Sequence, residues 1–186
     1  AYIMDLATRN IEQITKDFAP TVYPLQWNKG DGCIYFNTND EDCRNIYRYS
    51  PQTKKFEKLN LETDVTSAFA LSENNPSIAA YIGQSNHNAG VAYLYDMKKK
   101  TSRLLADPMK PILDEIELGK TEPWNFTASD GTTIQGMMCL PPNFDPNKKY
   151  PLIVYYYGGT TPTERGISNP YCAQLFASRD YVVYVI

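Results

Sequence analysis

A short aromatic segment recurs three times in this chain, at intervals of 45 and 46 residues. Each copy is followed by a polar or basic turn and then by a second apolar pair, which is the pattern of a β-hairpin. Two more predicted strands lie between successive copies, so each repeat holds about four short strands. The recurring segments are Tyr2-Ile3-Met4-Asp5, Tyr47-Arg48-Tyr49-Ser50 and Tyr93-Leu94-Tyr95-Asp96.

About four strands in 45 residues is the period of a β-propeller blade. Residues 1–110 therefore predict two full blades, and the strands before Phe18 predict part of a third. Because a propeller closes with roughly four to eight blades, these residues make up only part of a ring. An all-β sandwich is the alternative, although a sandwich does not explain the repeat.

The chain changes character after the repeats. Residues 111–122 are interpreted as a linker, which forms either a short helical turn or an extended connection. Beyond the linker, residues 124–128 and 134–140 flank an Asp-Gly pair at position 130, which predicts a β-hairpin.

The last part of the chain predicts a strand over residues 152–157, a helix over 170–178 and a second strand over 181–186. Without its neighbours in the whole protein, this last strand is expected to be a long apolar edge. A hairpin followed by strand, helix and strand is typical of an α/β sheet. The whole chain is thus predicted to be mainly β with an α/β part, in which residues 123–186 begin a second domain.

The strand at 152–157 is the segment most suggestive of function. It is a continuous apolar and aromatic run, which predicts a strand covered on both faces, and it ends at Gly158 and Gly159. The glycines allow a backbone turn that a side chain would hinder. In an open α/β sheet, ligands bind at the carboxyl ends of the strands, so Tyr157 and the two glycines are candidate site residues.

Composition restricts the partners. A net charge of −3 and a pI near 5.2 argue against nucleic-acid binding, and no apolar run reaches the length of a membrane span. The four cysteines lack metal-ligand spacing and are predicted to be free thiols, with Cys33 opposite Ile46 in a hairpin rather than opposite Cys43. No metal and no cofactor are expected.

The single histidine, His87, lies between two predicted strands and is expected in a solvated hairpin loop. Two serines partly match a nucleophile turn of the form Gly-x-Ser-x-Gly. Both segments lack the final glycine. The segment that contains Ser85 also lacks the strand-to-helix context, and no predicted strand precedes the segment that contains Ser168. The sequence therefore contains no complete nucleophile motif.

Repeats followed by this hairpin and strand resemble the prolyl oligopeptidase family of serine peptidases, and most of all its dipeptidyl peptidase IV branch. The more specific part of the resemblance runs from the turn at residue 130 to the glycines, and Thr160 stands where the family often has proline. The segments that carry it are Asp130-Gly131-Thr132, Leu140-Pro141-Pro142, Lys149-Tyr150-Pro151-Leu152 and Tyr157-Gly158-Gly159.

The resemblance implies a partial propeller followed by the N-terminal part of an α/β-hydrolase domain. It places the Ser-Asp-His triad beyond residue 186, so this segment alone is expected to be inactive. It also implies that Tyr157 donates its hydroxyl to the oxyanion of the tetrahedral intermediate, with Gly158 and Gly159 beside the site. On the residues alone, Tyr157 is equally well explained as one more aromatic of the strand.

The resemblance further implies a whole protein that cleaves dipeptides from peptide N-termini after proline or alanine. The alternatives are an oligopeptidase or acylaminoacyl-peptidase of the same architecture, and a non-catalytic propeller that serves as a binding scaffold. A peptide is the expected partner of the site. This segment is expected not to contact a membrane, while the whole protein is expected to be extracytoplasmic and is a candidate homodimer.

Overall fold

The computed structural model describes residues 1–156, 164–168 and 173–186. The chain divides into two compact units: the first comprises Ala1–Gly83 and Ala92–Leu105, and the second comprises Gln84–Val91 and Ala106–Ile186. The tip of one hairpin, at residues 84–91, thus groups with the second unit.

The first unit consists of strands. Three of them, β3 to β5, pair antiparallel in chain order, and β6 pairs antiparallel with β5. Strands β7 to β10 form a second set of neighbours in chain order, and one parallel bridge between Arg44 and Val65 connects the two sets. The strands are β1 (Tyr2–Met4), β2 (Ile11–Gln13), β3 (Thr21–Trp27), β4 (Ile34–Asp40), β5 (Cys43–Ser50), β6 (Lys55–Lys58), β7 (Val65–Leu71), β8 (Ile78–Gln84), β9 (Val91–Asp96) and β10 (Thr101–Ala106).

The two four-stranded sets pack together through an apolar and aromatic core. Tyr35 on β4 is fully buried and stacks on Phe69 of β7, with ring centroids 5.9 Å apart. Burying a large apolar side chain stabilises a fold by roughly 1.5–3 kcal/mol. The buried members of this core are Cys33, Tyr35, Ile46, Leu59, Leu71, Ala79, Tyr81 and Tyr95.

Strand β4 is buried on both of its faces. Tyr35 belongs to the core shared with the second set of strands, whereas its neighbours Ile34 and Phe36 belong to a core with the β1–β2 hairpin. Side chains alternate between faces along a strand, so these three apolar residues in succession require cover on each side. Face-to-face stacking of sheets supplies that cover.

The turn after each recurring aromatic segment has the same construction. The side-chain oxygens of Asp5, Ser50 and Asp96 each accept a hydrogen bond from a backbone N–H two or three positions later, at 2.7 to 3.3 Å. Each turn then contains a residue with positive φ, at Arg9, Lys54 and Lys100. The sequence repeat is therefore also a repeat of backbone conformation.

The second unit contains a four-stranded sheet in the order β11, β14, β16, β15. Strands β14 and β16 pair antiparallel, whereas β15 and β16 pair parallel, with Ile153 opposite Val183. Its elements are α1 (Lys110–Leu113), β11 (Thr121–Pro123), β12 (Phe126–Thr127), β13 (Thr133–Ile134), β14 (Met137–Cys139), β15 (Leu152–Tyr155), α2 (Ala173–Ala177) and β16 (Val182–Val185).

The predicted Asp-Gly hairpin is confirmed. Strands β12 and β13 pair with Phe126 opposite Ile134, and the turn between them contains Gly131 at a φ of 87°. The Asp130 carboxylate accepts a hydrogen bond from the backbone N–H of Thr132 at 2.9 Å. The hairpin continues into β11 and β14, which joins it to the main sheet.

Two expectations for the main sheet are wrong. The last strand is not an exposed edge: β16 lies between β14 and β15, and Val183, Tyr184 and Val185 are buried. The edge is β15, on which Leu152 is 57% and Val154 is 49% exposed, so β15 is covered on one face rather than on both. The apolar run could not reveal this, because its residues are equally apolar on the two faces.

Two smaller expectations also differ from the structure, the end of β15 and the register of Cys33. β15 ends at Tyr155 rather than at Tyr157. The helix predicted over residues 170–178 is present in its described part as α2. The predicted register of Cys33 is wrong, because Ile46 pairs with Asn37 and Cys43 pairs with Asp40. Among the described residues, Cys33, Cys43 and Cys139 form no disulfide, as predicted, and Cys172 lies outside those residues.

Candidate functional site

The predicted site lies where β15 ends. β15 and β16 run parallel, so their carboxyl ends lie at the same edge of the sheet, with Tyr155 opposite Val185. The backbone N–H of Ile186 donates to the Tyr155 carbonyl at 3.0 Å, which fixes the end of β15. Tyr157, Gly158 and Gly159 lie outside the described residues. The structure therefore describes the strand leading into the site.

The two tyrosines just before Tyr157 have different surroundings. Tyr155 packs against the buried core formed by Cys139, Ala177 and Val183. Tyr156 is 74% exposed. Tyr155 is thus an ordinary core aromatic of this strand, whereas the side chain of Tyr156 lies mostly in solvent.

Residues 164–168 are held by the tip of the β8–β9 hairpin within the same unit. The Gln84 side-chain carbonyl accepts hydrogen bonds from the backbone N–H of Ser168 at 3.2 Å and from the Ser168 hydroxyl. The backbone N–H of Ile167 donates to the Ser85 carbonyl at 2.9 Å. A Cβ at Gly166 would lie 2.6 Å from the Gln84 amide, so glycine allows this approach.

The two serines in the partial nucleophile motifs each contact a side chain at the tip of the β8–β9 hairpin. Ser85 is buried, and its hydroxyl lies 3.2 Å from Nδ1 of His87 in the same tight connection. The Ser168 hydroxyl donates to Gln84. His87 is exposed in the connection between two strands, which confirms the prediction of a hairpin loop.

Helix α2 is fastened to the segment before β11 by Gln174. Its side-chain carbonyl accepts from the Gly119 N–H at 2.8 Å, and its Nε2 donates to the Gly119 carbonyl at 2.9 Å. Nε2 also lies 3.2 Å from the Thr121 hydroxyl. Sequence reasoning missed Gln174 and Gln84, since an isolated glutamine carries no signal for a partner 55 or 84 residues away.

A small cavity of about 40 Å³ lies beside this contact, with room for about two or three water molecules. It is lined by Thr121, Met137, Cys139, Ile167 and Gln174, among others. Burial raises the pKa of the Cys139 thiol, which keeps it protonated and weakly nucleophilic at neutral pH. This volume is too small for a peptide.

A network of partly buried charges lies in the first unit. Arg48 donates to one Glu57 oxygen from Nε at 2.9 Å and from Nη2 at 2.6 Å, and Lys100 donates to the other oxygen at 2.7 Å. The Tyr35 hydroxyl donates to Asp31 at 2.6 Å, and burial raises the pKa of Tyr35. Because these groups satisfy one another, the network fits a structural role.

Within the described part of the chain, no group of three or more His, Cys, Asp or Glu side chains could hold a metal ion. Among the same residues, no helix has the length and apolar character needed to cross a bilayer.

Curated relatives of the chain are dipeptidyl peptidases. The chain is 26% identical over 183 residues to dipeptidyl-peptidase 5 of Porphyromonas gingivalis. The matched residues cover 98% of the chain and 26% of that protein. It is 27% identical over 158 residues to dipeptidyl peptidase 4 of Trichophyton rubrum, covering 82% of the chain and 19% of that protein. The chain thus spans about a quarter or less of the length of these relatives. No family model matches it.

Solved structures share the fold. An acylaminoacyl peptidase in complex with Z-Gly-Gly-Phe-chloromethyl ketone superposes with a TM-score of 0.79 at 20% identity, covering 99% of the chain and 27% of that protein. Dipeptidyl peptidase 4 of Porphyromonas gingivalis gives a TM-score of 0.76 at 19% identity, over 99% of the chain and 26% of that protein.

The fold class predicted from the sequence is confirmed by these neighbours: a partial β-propeller precedes the start of an α/β-hydrolase sheet. In sequence and in fold, the chain is a relative of the dipeptidyl peptidase IV-like peptidases of the prolyl oligopeptidase family.

Proposed function

We propose that the whole protein is a serine peptidase that removes dipeptides from the N-termini of peptides, after proline or alanine. The observation that carries the proposal is the relationship to dipeptidyl-peptidase 5 over 98% of the chain. The proposal divides the chain into the end of a propeller at residues 1–110, a linker at 111–122 and the start of the catalytic domain at 123–186.

Tyr157 is proposed as the oxyanion donor. A phenol is a neutral hydrogen-bond donor on a rigid ring, and such a donor stabilises the charge that develops on the carbonyl oxygen in the transition state. Two described features support this role. β15 delivers the chain to the carboxyl edge of the sheet, and its fixed end at Tyr155 is only two residues away.

Gly158 and Gly159 are proposed to turn the backbone away from the scissile carbonyl. The triad serine, aspartate and histidine are assigned to residues beyond Ile186. This assignment agrees with the roles of Ser85, Ser168 and His87, which serve hairpin and loop contacts. The extracytoplasmic location and homodimerisation of the whole protein stay predictions.

The test is a substrate assay on the whole protein. Substrates of the form Xaa-Pro-amide and Xaa-Ala-amide with a free N-terminus are compared with their N-acetylated counterparts, and a fluorophosphonate serves as the inhibitor. We expect cleavage of the free-amine substrates and loss of turnover after fluorophosphonate labelling. Turnover that survives labelling would contradict the serine mechanism.

An acylaminoacyl-peptidase is the second candidate, because a structure of that enzyme shares this fold with a TM-score of 0.79. The same assay separates the two: an acylaminoacyl-peptidase prefers the N-acetylated substrate, and a dipeptidyl peptidase prefers the free amine. A binding scaffold would cleave neither substrate and would not react with the fluorophosphonate.

A further inference from the structure

Two ion pairs connect successive repeats at equivalent positions. Lys54 Nζ lies 2.6 Å from Glu12 Oε1, and Lys100 Nζ lies 2.7 Å from Glu57 Oε1. The partners are 42 residues apart in the first pair and 43 in the second. The two pairs are thus copies of a single contact that belongs to the repeat.

The lysines in these pairs share an unusual backbone conformation. Lys54 has a φ of 55° and Lys100 has a φ of 54°. Both values lie in the left-handed region, which residues other than glycine, asparagine and aspartate seldom adopt. In each case, the carboxylate or hydroxyl at the start of the turn holds the turn closed. Both turns place a lysine whose ammonium group contacts a carboxylate of the preceding repeat.

Arg9 occupies the same position in the first hairpin. It has a φ of 61° and stands 45 residues before Lys54. Its backbone N–H donates to the Asp5 carbonyl at 2.8 Å, just as the Lys54 N–H donates to the Ser50 carbonyl at 2.8 Å. The first hairpin therefore presents a cation in the geometry that Lys54 and Lys100 use to bind a carboxylate.

We propose that Arg9 binds an aspartate or glutamate of a further four-stranded repeat that precedes Ala1 in the whole protein. The separations of 42 and 43 residues place this carboxylate 41–44 residues upstream of Arg9. The carboxylate stands three residues after the left-handed position of its own repeat, as Glu12 and Glu57 do. The surface of the β1–β2 hairpin around Arg9 is thus an interface with a preceding repeat.

Charge complementarity selects this occupant over a second copy of the chain. Three residues after Lys100, where the earlier repeats have glutamate, the chain has Arg103. If β10 of another copy were seated on the first hairpin in the same arrangement, Arg103 would meet Arg9, and like charges repel. A preceding repeat with a carboxylate at that position has the required sign. The proposed ion pair joins adjacent repeats and does not depend on peptidase activity.

The test uses zero-length carbodiimide cross-linking, which joins a carboxylate to an amine only where the two are in contact. Arg9→Lys is introduced in the whole protein, and cross-linked peptides are identified by mass spectrometry. Lysine is tolerated at this backbone conformation, since Lys54 and Lys100 adopt it. The Lys54–Glu12 and Lys100–Glu57 pairs serve as internal positive controls.

We expect the amine that Arg9→Lys introduces to be joined to a carboxylate 41–44 residues upstream. A mixture of isotope-labelled and unlabelled protein separates links within one chain from links between chains. The proposal is overturned if the introduced amine joins a carboxylate of another copy, joins one elsewhere in its own chain, or forms no link while both control pairs do.

Discussion

The side-chain amide of Gln174 pairs with the backbone of Gly119 as one strand residue pairs with another. The Gly119 N–H donates to Oε1 at 2.8 Å, and Nε2 donates to the Gly119 carbonyl at 2.9 Å. The two residues are 55 positions apart, so this contact ties helix α2 to the start of the sheet. It also supports one wall of the small cavity.

Gln174→Leu is expected to loosen this connection in the whole protein. The substitution keeps the approximate volume but leaves the Gly119 N–H and carbonyl without their partners, which costs roughly 1–3 kcal/mol. Hydrogen exchange should show faster exchange at Gly119 and in α2. Gln174→Glu is the matched variant: it retains the acceptor, loses the donor and is expected to show a smaller effect at the Gly119 N–H. Unchanged exchange in both variants would contradict the role of Gln174.

Gly119→Ala is expected to destabilise the second unit by a steric clash. A Cβ at Gly119 would overlap the Leu140 carbonyl oxygen, so the backbone of one segment has to move. We expect a loss of about 1–3 kcal/mol, as for other overpacked sites, and a lower melting temperature.

Gly131→Ala is the control for this clash. Gly131 has a φ of 87°, but a Cβ there would meet nothing within 4 Å. Gly131→Ala therefore measures only the cost of placing alanine in a left-handed backbone conformation, which is about 1–2 kcal/mol. If Gly119→Ala melts no lower than the unsubstituted protein, the close approach to Leu140 is not a constraint in solution.

Glu57 should make stability depend on acidic pH. Hydrogen bonds from Lys100 and then from Arg48 hold the pKa of Glu57 below its ordinary value of 4.5. The stabilisation is therefore fully present above pH 4.5 and is lost as the pH falls through the lowered pKa. We expect the difference in melting temperature between the unsubstituted protein and Glu57→Gln to shrink as the pH is lowered below about 4.5.

Lys100→Met is the companion variant for this effect. Removing the largest cause of the shift should bring the pKa of Glu57 closer to 4.5 and reduce the acid-dependent loss of stability. If the melting temperatures of the unsubstituted protein and of Glu57→Gln differ by the same amount from neutral to strongly acidic pH, Glu57 has the same pKa in the folded and unfolded protein.

The isolated chain of residues 1–186 is expected to aggregate and to lack peptidase activity. β15 is the edge of its sheet among the described residues, and its exposed face carries Leu152 and Val154. An apolar edge strand is a template for pairing with another molecule. Leu152→Lys with Val154→Lys should reduce aggregation measured by light scattering. A monomer that is equally soluble with and without the lysines would refute this origin of the aggregation.

Tyr157→Phe in the whole protein tests the oxyanion role. The substitution removes only the hydroxyl, so the melting temperature should barely move while kcat falls. Loss of one oxyanion donor costs roughly 2.7–4 kcal/mol, or about a hundred- to a thousand-fold in rate. The exposed neighbour Tyr156 provides the control, since Tyr156→Phe should change kcat by less than a few-fold. Full kcat in Tyr157→Phe would leave Tyr157 as a simple strand aromatic.

The local architecture could be predicted from the sequence because it depends on near neighbours. The interval of 45 and 46 residues indicated the four-stranded repeat, and Asp130-Gly131 indicated the hairpin turn. Alternation of side chains and the conformational demands of a turn are properties of a few consecutive residues. They remain readable without any knowledge of the distant chain.

The order of the strands and the partners of polar side chains were decided by the tertiary structure. The sequence did not show that β16 inserts between β14 and β15, because an apolar strand is compatible with either a central or an edge position. Nor did it show that Gln84 meets Ser168 or that Gln174 meets Gly119. A single amide can bond to almost any backbone group, and only the folded chain, which brings residues 55 and 84 positions apart together, selects one.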